Sequence, residues 1–244
     1  MDSFWLAAPA TALFFACLAL VPLGAQVLTR GVVFIDLAVA QVAACGALAV
    51  GLWNPHPPAW LAGGSAAAAA LLGAAWVRAL AARWPAQREA LIGLVYVAAA
   101  SAAIVMAAQH PHGREQLTAL LAADVLWAPW PATLLLGGLA AAVAALAWAR
   151  PGWLARDAVF YPLFALALSA AVPVLGLYLV FAFLIAPALW TRRGLALPAA
   201  VTLAALAAVA GLAASWALDW PSGACIAVAL TVLGLSAALR RLAA

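Results

Sequence analysis

The acidic residue Asp36 interrupts an apolar run, residues 32–53, that is long enough to cross a lipid bilayer. A carboxylate inside hydrocarbon costs about 2.5–3.5 kcal/mol on insertion scales, so such residues usually face a bundle interior or a water-filled path and mark functional sites. Asp36 is also only about one turn from the start of the run, where it could meet interfacial water or cap a helix. The sequence leaves both interpretations open, a pore-facing ligand and an interfacial cap.

The rest of the chain is overwhelmingly apolar. Hydrophobic residues make up 70% and charged residues 7% of 244 residues, against roughly 25% charged residues in ordinary soluble domains. At about 20 residues per span, this length allows eight or nine crossings and no separate extramembrane domain. We predict an all-α, polytopic transmembrane helical bundle that forms a single domain over residues 1–244.

The apolar runs give the predicted spans. A polar linker, residues 84–89, and an amphipathic stretch, residues 114–127, separate some of them. The region 159–189 is too long for one ordinary span and short for two, and Pro173 near its middle predicts a hairpin. The runs are 6–28, 32–53, 60–80, 90–108, 131–149, 159–172, 174–189, 195–218 and 225–239.

The positions of the arginines favour the hairpin and nine spans. All 11 basic residues are arginine; with a hairpin near Pro173 all but Arg114 fall on one side, whereas eight spans would divide them almost evenly. Because cytoplasmic loops are enriched in basic residues, we predict that the arginine-rich side is cytoplasmic, with the N-terminus outside and the C-terminus inside. That side holds Arg30, Arg78, Arg83, Arg88, Arg150, Arg156, Arg192, Arg193, Arg240 and Arg241.

Signatures of catalytic and cofactor sites are absent from the sequence. There is no P-loop, no HExxH and no GxSxG, so an energy-coupled transporter built from this chain would need a gradient or a separate ATPase subunit. The basic residues lie singly or in pairs at the ends of apolar runs, and we expect no nucleic-acid partner. The predicted outside loops contain His56, His110 and His112, which are either solvated polar residues or ligands.

Two patterned segments lie in the first half of the chain. One begins with Arg30 and a glycine, continues through Asp36 and Gln41, and ends at a second glycine, residue 46. The other is an acid followed by Ile-Gly and an apolar helix, Glu89-Ala-Leu-Ile-Gly93-Leu-Val-Tyr.

Two further segments lie in the second half. One is an apolar run, residues 172–188, that contains Gly176 and ends in Ile-Ala-Pro187-Ala. The other opens the last helix and reads Leu-Asp219-Trp-Pro221-Ser222-Gly223-Ala, in which Asp219 is expected to be a turn or N-cap residue. In order and spacing, the four segments resemble the permease subunits of ATP-binding-cassette importers for zinc, manganese and chelated iron. A fifth segment around Asp124 fits that family loosely.

The resemblance implies a homodimer that forms a translocation path in the bacterial cytoplasmic (inner) membrane. It also implies a separate cytoplasmic ATPase subunit that binds ATP, and an extracytoplasmic metal-binding protein that delivers a divalent metal ion. We expect no enzymatic activity and no cofactor on this chain, since the metal is cargo. The expected contact with the ATPase is the segment Leu189, Trp190, Thr191, Arg192, Arg193 and Gly194.

A divalent cation crossing hydrocarbon needs hard oxygen or borderline nitrogen ligands, and Asp36 is the candidate transit ligand. Glu89, at the cytoplasmic mouth of its span, is a second candidate, although a negative charge there also stabilises a helix N-terminus. We expect Gln41, Gly93 and Ser101 to line the path; Ser101 could equally bond its own helix carbonyl.

Position 40 departs from the family pattern. In the family a histidine commonly follows the membrane aspartate four residues on, which places two ligands on one helical face. Here residue 40 is Ala40, and the next polar residue, Gln41, lies about 140° round the helix from Asp36. The choice among zinc, manganese and iron therefore stays open.

Two other function classes fit the sequence less well. A gradient-driven secondary transporter of a cation or small solute predicts inverted repeats with interrupted helices in both halves, whereas the sequence shows one Pro-broken hairpin and no internal repeat. A membrane-embedded enzyme needs a convergent catalytic set, which Asp36 alone does not supply.

Overall fold

A computed structural model describes residues 6–54, 57–109 and 113–239, and the description below is limited to them. These residues are almost entirely helical. The α-helices are α1 (Ala7–Arg30), α2 (Ile35–Trp53), α3 (Ala59–Arg83), α4 (Arg88–Ala108), α5 (Gly113–Leu121), α6 (Trp130–Ala149), the single turn α7 (Pro151–Leu154), α8 (Asp157–Leu175), α9 (Leu177–Thr191), α10 (Leu197–Leu218) and α11 (Ser222–Leu239), with 3₁₀ turns at Pro85–Gln87 and Val125–Trp127.

Within the described residues, seven helices are long and apolar enough to cross a membrane, namely α1, α2, α3, α4 (counted with the preceding 3₁₀ turn), α6, α8 and α10. The helices α9 and α11 are apolar but shorter. The predicted all-α transmembrane bundle is confirmed, and nine crossings stay a prediction. His56, His110, His112, Arg240 and Arg241 lie outside the described residues.

The helices α1, α2, α8 and α9 form the centre of the bundle. About 60% of the residues in the most apolar stretches of α1 and α8 are buried, whereas only 22–28% are buried in those of α3, α4, α6 and α10. The helix α1 packs against α6, α9 and α10, α2 packs between α3 and α4, and α11 packs against α9 and α10. The backbones approach very closely where α1 meets α9, since a Cβ added to Gly24 would clash with the Leu184 carbonyl oxygen.

The chain reverses direction at Gly176, three residues after the predicted break. Pro173 lies inside α8, whereas Gly176 has φ 78° and ψ 153°, a conformation that favours glycine and ends the helix. From there α9 returns, since Leu184 lies against Gly24 of α1, fewer than two turns before Arg30. The two helices diverge, because α8 packs against α3 and α6 while α9 packs against α1 and α11.

The connections gather at two opposite ends. At one end, Arg30 at the end of α1 bonds Ala155 and Asp157, which lie just before and at the start of α8. The backbone N–H of Val33 also bonds Glu89 at the start of α4. This grouping agrees with the prediction that alternate loops lie on the same side and that one side carries most of the arginines. The assignment of this arginine-rich end to the cytoplasm stays a prediction.

At the other end, the connection between α5 and α6 packs against the α8–α9 and α10–α11 turns. Added Cβ atoms on Gly176 and Gly223 would lie 2.5 Å and 2.7 Å from the Ala123 backbone. Exposed tryptophans surround both ends, as in proteins anchored at the two membrane interfaces. They are Trp53, Trp60, Trp127, Trp130, Trp216 and Trp220 at this end, and Trp76, Trp84, Trp148 and Trp153 towards the arginine-rich end.

Candidate functional site

The side chain of Asp36 is completely buried in the first turn of α2. The chain enters this turn from Gly31, which ends α1 in the left-handed conformation, φ 60°. Asp36 is 0% exposed, and neither carboxylate oxygen has a hydrogen-bond partner among the described residues. An unpartnered carboxylate at such a position is costly unless a ligand or a proton compensates it.

Glu89 joins the same corner of the molecule. Its Oε1 accepts a hydrogen bond of 2.8 Å from the backbone N–H of Val33, three residues before Asp36. Its Oε2 is buried and has no partner in the described part of the chain. One oxygen of Glu89 therefore ties α4 to the α1–α2 turn, and the other is a free acceptor.

An open groove of about 630 Å³ lies between α2, α4, α5, α9 and α11. Its walls are mainly apolar, and the predicted pore residue Gln41, 8% exposed, contributes an amide. The sequence did not identify the other polar residues of the lining, Tyr96, Tyr178 and Thr231. Weakly amphipathic helices do not show which of their faces points inward. The lining includes Leu37, Gln41, Tyr96, Ile104, Leu117, Tyr178, Phe181, Ile185, Thr231 and Leu235.

The structure separates the other predicted path residues from this groove. Asp36 is sealed from it, although its neighbour Leu37 is on the wall. On α4 the wall is formed by Tyr96, Ala100 and Ile104, and neither Gly93 nor Ser101 is part of it. Gly93 is half-buried and Ser101 is exposed. Their roles, and that of Asp36, stay predictions.

The position of the family histidine is enclosed by leucines. Ala40 is 4% exposed and borders a crevice of about 10 Å³ next to Gln41. The crevice is too narrow for an imidazole, because Leu117, Leu120 and Leu121 of α5 close it. Residue 40, where the family commonly has a histidine, is therefore an alanine surrounded by apolar side chains. Among the described residues, no group of three His, Cys, Asp or Glu side chains could hold a metal ion.

The predicted ATPase-contact segment forms the end of α9 and the turn into α10. Arg192, Arg193 and Gly194 are exposed, and Gly194 has φ 87°. Leu189 is on the groove wall, and the Trp190 indole donates a 2.9 Å hydrogen bond to the carbonyl of Leu233 on α11. Thr191 Oγ1 bonds the Ala188 carbonyl. The segment thus links the groove to an exposed turn.

The remaining motif residues build turns and packing. Pro187 is buried within α9. Asp219 is the left-handed residue that ends α10, φ 55°, as expected of a turn residue, and Pro221 follows it before α11 begins at Ser222. The fully buried Ser222 donates its hydroxyl to Asp124 Oδ1, which also accepts from the backbone N–H of Leu126. No local sequence pattern predicts this bond, which joins residues 98 positions apart.

The second-half motifs coincide with a match to a known family. Residues 154–241 match the model of the ABC 3 transport family. The family resemblance is confirmed. The matched residues include the α8–α9 turn, the α9 and α11 walls of the groove, and the segment around Arg192.

A solved structure has a similar fold over nearly the whole chain. A chain of PsaBC from Streptococcus pneumoniae, solved in complex with Fab, superposes with a TM-score of 0.76 at 18% sequence identity, covering 97% of this chain and 91% of that chain. The similarity therefore extends over the first-half motifs, which lie outside the family match. No curated protein sequence matches this chain.

Proposed function

We propose that this chain is the permease subunit of an ATP-binding-cassette importer for a divalent metal ion of the zinc, manganese and iron class. The observation that carries the proposal is the ABC 3 transport family match over α8 to α11, because this region includes the α9 and α11 walls of the groove and the exposed turn after α9. The chain itself catalyses no reaction, and ATP is bound and hydrolysed by a separate subunit.

The groove supplies one wall of the translocation path. Large apolar side chains at its edge are exposed, including Ile104 (58%), Tyr178 (59%) and Leu235 (58%). A second copy of the chain, packed over these residues, closes the groove and completes a path between two permeases. This arrangement supports the homodimer, in the inner membrane, with the arginine-rich end in the cytoplasm.

The ATPase contact is assigned to residues 189–194. This turn is exposed and lies between α9, which lines the groove, and α10. The Trp190 bond to Leu233 joins α9 to α11, so a push on the turn moves two helices of the groove wall together. An extracytoplasmic metal-binding protein delivers cargo at the opposite end.

Asp36 is the proposed transit ligand. Both of its oxygens lack a hydrogen-bond partner among the described residues, so the carboxylate is available to a cation once α2 exposes it. Because position 40 holds alanine, coordination relies on oxygen from Asp36 and on groups outside its helical face. Glu89 Oε2 is a second candidate, because it is buried without a partner among the described residues and its other oxygen bonds Val33 in the α1–α2 turn.

Uptake of ⁶⁵Zn, ⁵⁴Mn and ⁵⁵Fe in cells expressing the complete system tests the proposal. We expect uptake of at least one metal to stop on ATP depletion and to survive collapse of the proton gradient. The reverse result would identify a gradient-driven secondary transporter instead.

Co-purification in mild detergent tests the subunit contact. Deleting residues 192–194 is expected to abolish retention of a nucleotide-binding subunit and its ATP hydrolysis. The matched control, Arg150→Gln with Arg156→Gln, removes similar charge from a neighbouring turn and should leave retention unchanged. Loss in both variants would refute a specific contact at residues 192–194.

A further inference from the structure

Three arginines from three separate elements converge at the arginine-rich end. Arg30 ends α1, Arg78 lies near the end of α3, and Arg88 begins α4. All three lie within electrostatic range of the Tyr161 hydroxyl near the start of α8, as does Asp157. The Arg88 guanidinium packs over Gly31, because a Cβ added there would lie 2.6 Å from Arg88 Nη2. We call Arg30, Arg78, Arg88 and Tyr161 the arginine corner.

Only Arg30 is neutralised within this group. Its Nε lies 3.2 Å from Asp157 Oδ1, and its other nitrogens bond Gln26 Oε1 at 2.7 Å and the Ala155 carbonyl at 2.6 Å. Its guanidinium also lies 4.0 Å from the centre of the Phe160 ring. Arg30 is therefore fixed in place by protein contacts, and its charge is paired with that of Asp157.

Arg78 and Arg88 have no hydrogen-bond or ion-pair partner among the described residues. Glu89 follows Arg88 in sequence, but its Oε1 bonds the Val33 backbone and its Oε2 has no partner. Arg88 is half-buried, so its charge loses part of its hydration. The like charges of Arg78 and Arg88 repel each other unless an anion compensates them. The Tyr161 hydroxyl also has no bonded partner in the described part of the chain and can donate to such an anion.

We propose that the arginine corner binds the phosphate of an anionic phospholipid headgroup. Guanidinium groups suit phosphate because two parallel N–H groups can bind two of its oxygens. The corner also lies at the depth of lipid headgroups, since Arg78 stands between two exposed tryptophans, Trp76 (56%) on α3 and Trp84 (48%) directly after it. Acyl chains of the same lipid would lie along the exposed apolar face of α3, where Leu72 is 72% exposed.

Membrane lipid fits the corner better than an acidic protein segment. Basic pockets between transmembrane helices on the cytoplasmic side are typical sites for anionic lipids. Arg78 lies on α3, whose most apolar segment is only 22% buried by the rest of the chain, so most of this helix surface is open to lipid. A phospholipid supplies both the anion for Arg78 and Arg88 and the hydrocarbon for Leu72.

Native mass spectrometry of the purified full-length protein tests the proposal. The protein is titrated with phosphatidylglycerol, with zwitterionic phosphatidylethanolamine, and with inorganic phosphate. We expect preferential binding of phosphatidylglycerol, reduced about fivefold by Arg78→Gln or Arg88→Gln and more by the double variant. Arg83→Gln is the matched control, since Arg83 lies on the same helix with its guanidinium 5.8 Å from the Trp84 ring and is outside the corner. It should bind phosphatidylglycerol within twofold of wild type.

Several outcomes would overturn the proposal. An equal loss of phosphatidylglycerol binding in Arg83→Gln would indicate only general charge attraction. Equal binding of phosphatidylglycerol and phosphatidylethanolamine would show that the corner does not select an anionic lipid. Competition by inorganic phosphate at the lipid's own concentration would indicate a free-anion site. Loss of ATPase co-purification in the double variant, with lipid binding unchanged, would assign the corner to a protein contact. Tyr161→Phe keeps the packing while removing the hydroxyl, and a reduced preference in that variant supports phosphate at this position.

Discussion

Asp36 and Gln41 lie on the same helix, α2, but only Gln41 reaches the groove. Gln41 is part of the groove wall, whereas Asp36 is 0% exposed and both of its oxygens lack a hydrogen-bond partner among the described residues. Five residues correspond to a rotation of about 140°, so the amide and the carboxylate face different surroundings. Access of a cation to Asp36 therefore requires movement at the start of α2.

The first prediction concerns Asp36. Asp36→Asn keeps the shape of the side chain and removes its charge, so we expect metal uptake to be lost. Thermal stability in detergent should be unchanged or higher, because the variant removes the cost of an unpartnered buried charge. Uptake by radiotracer and unfolding by differential scanning fluorimetry give the two readouts. Normal uptake by Asp36→Asn would refute the ligand role.

The second prediction concerns the missing histidine. Ala40→His places a nitrogen one turn after Asp36, but the crevice there is about 10 Å³ and closed by α5. We expect destabilisation of about 1–3 kcal/mol from overpacking, measured by denaturant unfolding in mixed micelles. Adding Leu120→Ala should recover part of the stability by making room. Full stability of Ala40→His alone would show that α5 yields easily.

The third prediction concerns Gly24. Gly24→Ala would force α1 away from the Leu184 carbonyl, so we expect a loss of about 1–3 kcal/mol or failure of assembly. Gly63→Ala is the control, because a Cβ at Gly63 meets no atom within 4 Å. It should be neutral or slightly stabilising, since alanine favours helix over glycine by up to about 1 kcal/mol. Equal unfolding midpoints for the two variants would contradict the close α1–α9 contact.

The fourth prediction concerns Arg30 and Asp157. Asp157 is 55% exposed, so Asp157→Ala should cost only about 0.2–1 kcal/mol. Arg30→Ala should cost about 2–3 kcal/mol, because it also removes the bonds to Gln26 and Ala155 and the contact with Phe160. Unfolding of both single variants and the double variant measures the coupling. Equal costs for the two residues would show that the ion pair alone accounts for Arg30.

The fifth prediction concerns the opposite end of the bundle. Asp124 accepts from both Ser222 and the Leu126 backbone, so Asp124→Ala should loosen residues 122–128 more than Ser222→Ala does. Hydrogen exchange of these amides measures the effect, and exchange in α3 serves as the internal reference. If Ser222→Ala has the larger effect, the turn is held by α11 rather than by Asp124.

Composition and the distribution of arginines determined much about this protein from sequence alone. A chain with 7% charged residues has too little polar surface for a soluble fold, and its long apolar runs satisfy their backbone hydrogen bonds in lipid by forming helices. The bounds of these apolar runs agree closely with those of the helices. The hairpin was also predictable, although its turn lies at Gly176 rather than Pro173. A proline near a helix end removes one hydrogen bond, whereas a positive φ at glycine redirects the whole chain.

Tertiary structure alone decided which faces of these helices meet. Nearly uniform Ala- and Leu-rich helices carry little amphipathic signal, so the sequence could not show that Asp36 is sealed while Gln41 borders the groove. The same holds for pairs distant in the chain, such as Arg30 with Asp157 and Asp124 with Ser222, because no local pattern encodes them. The sequence determined that Asp36 lies near the start of a long apolar helix; the packing of α2 determined what it faces.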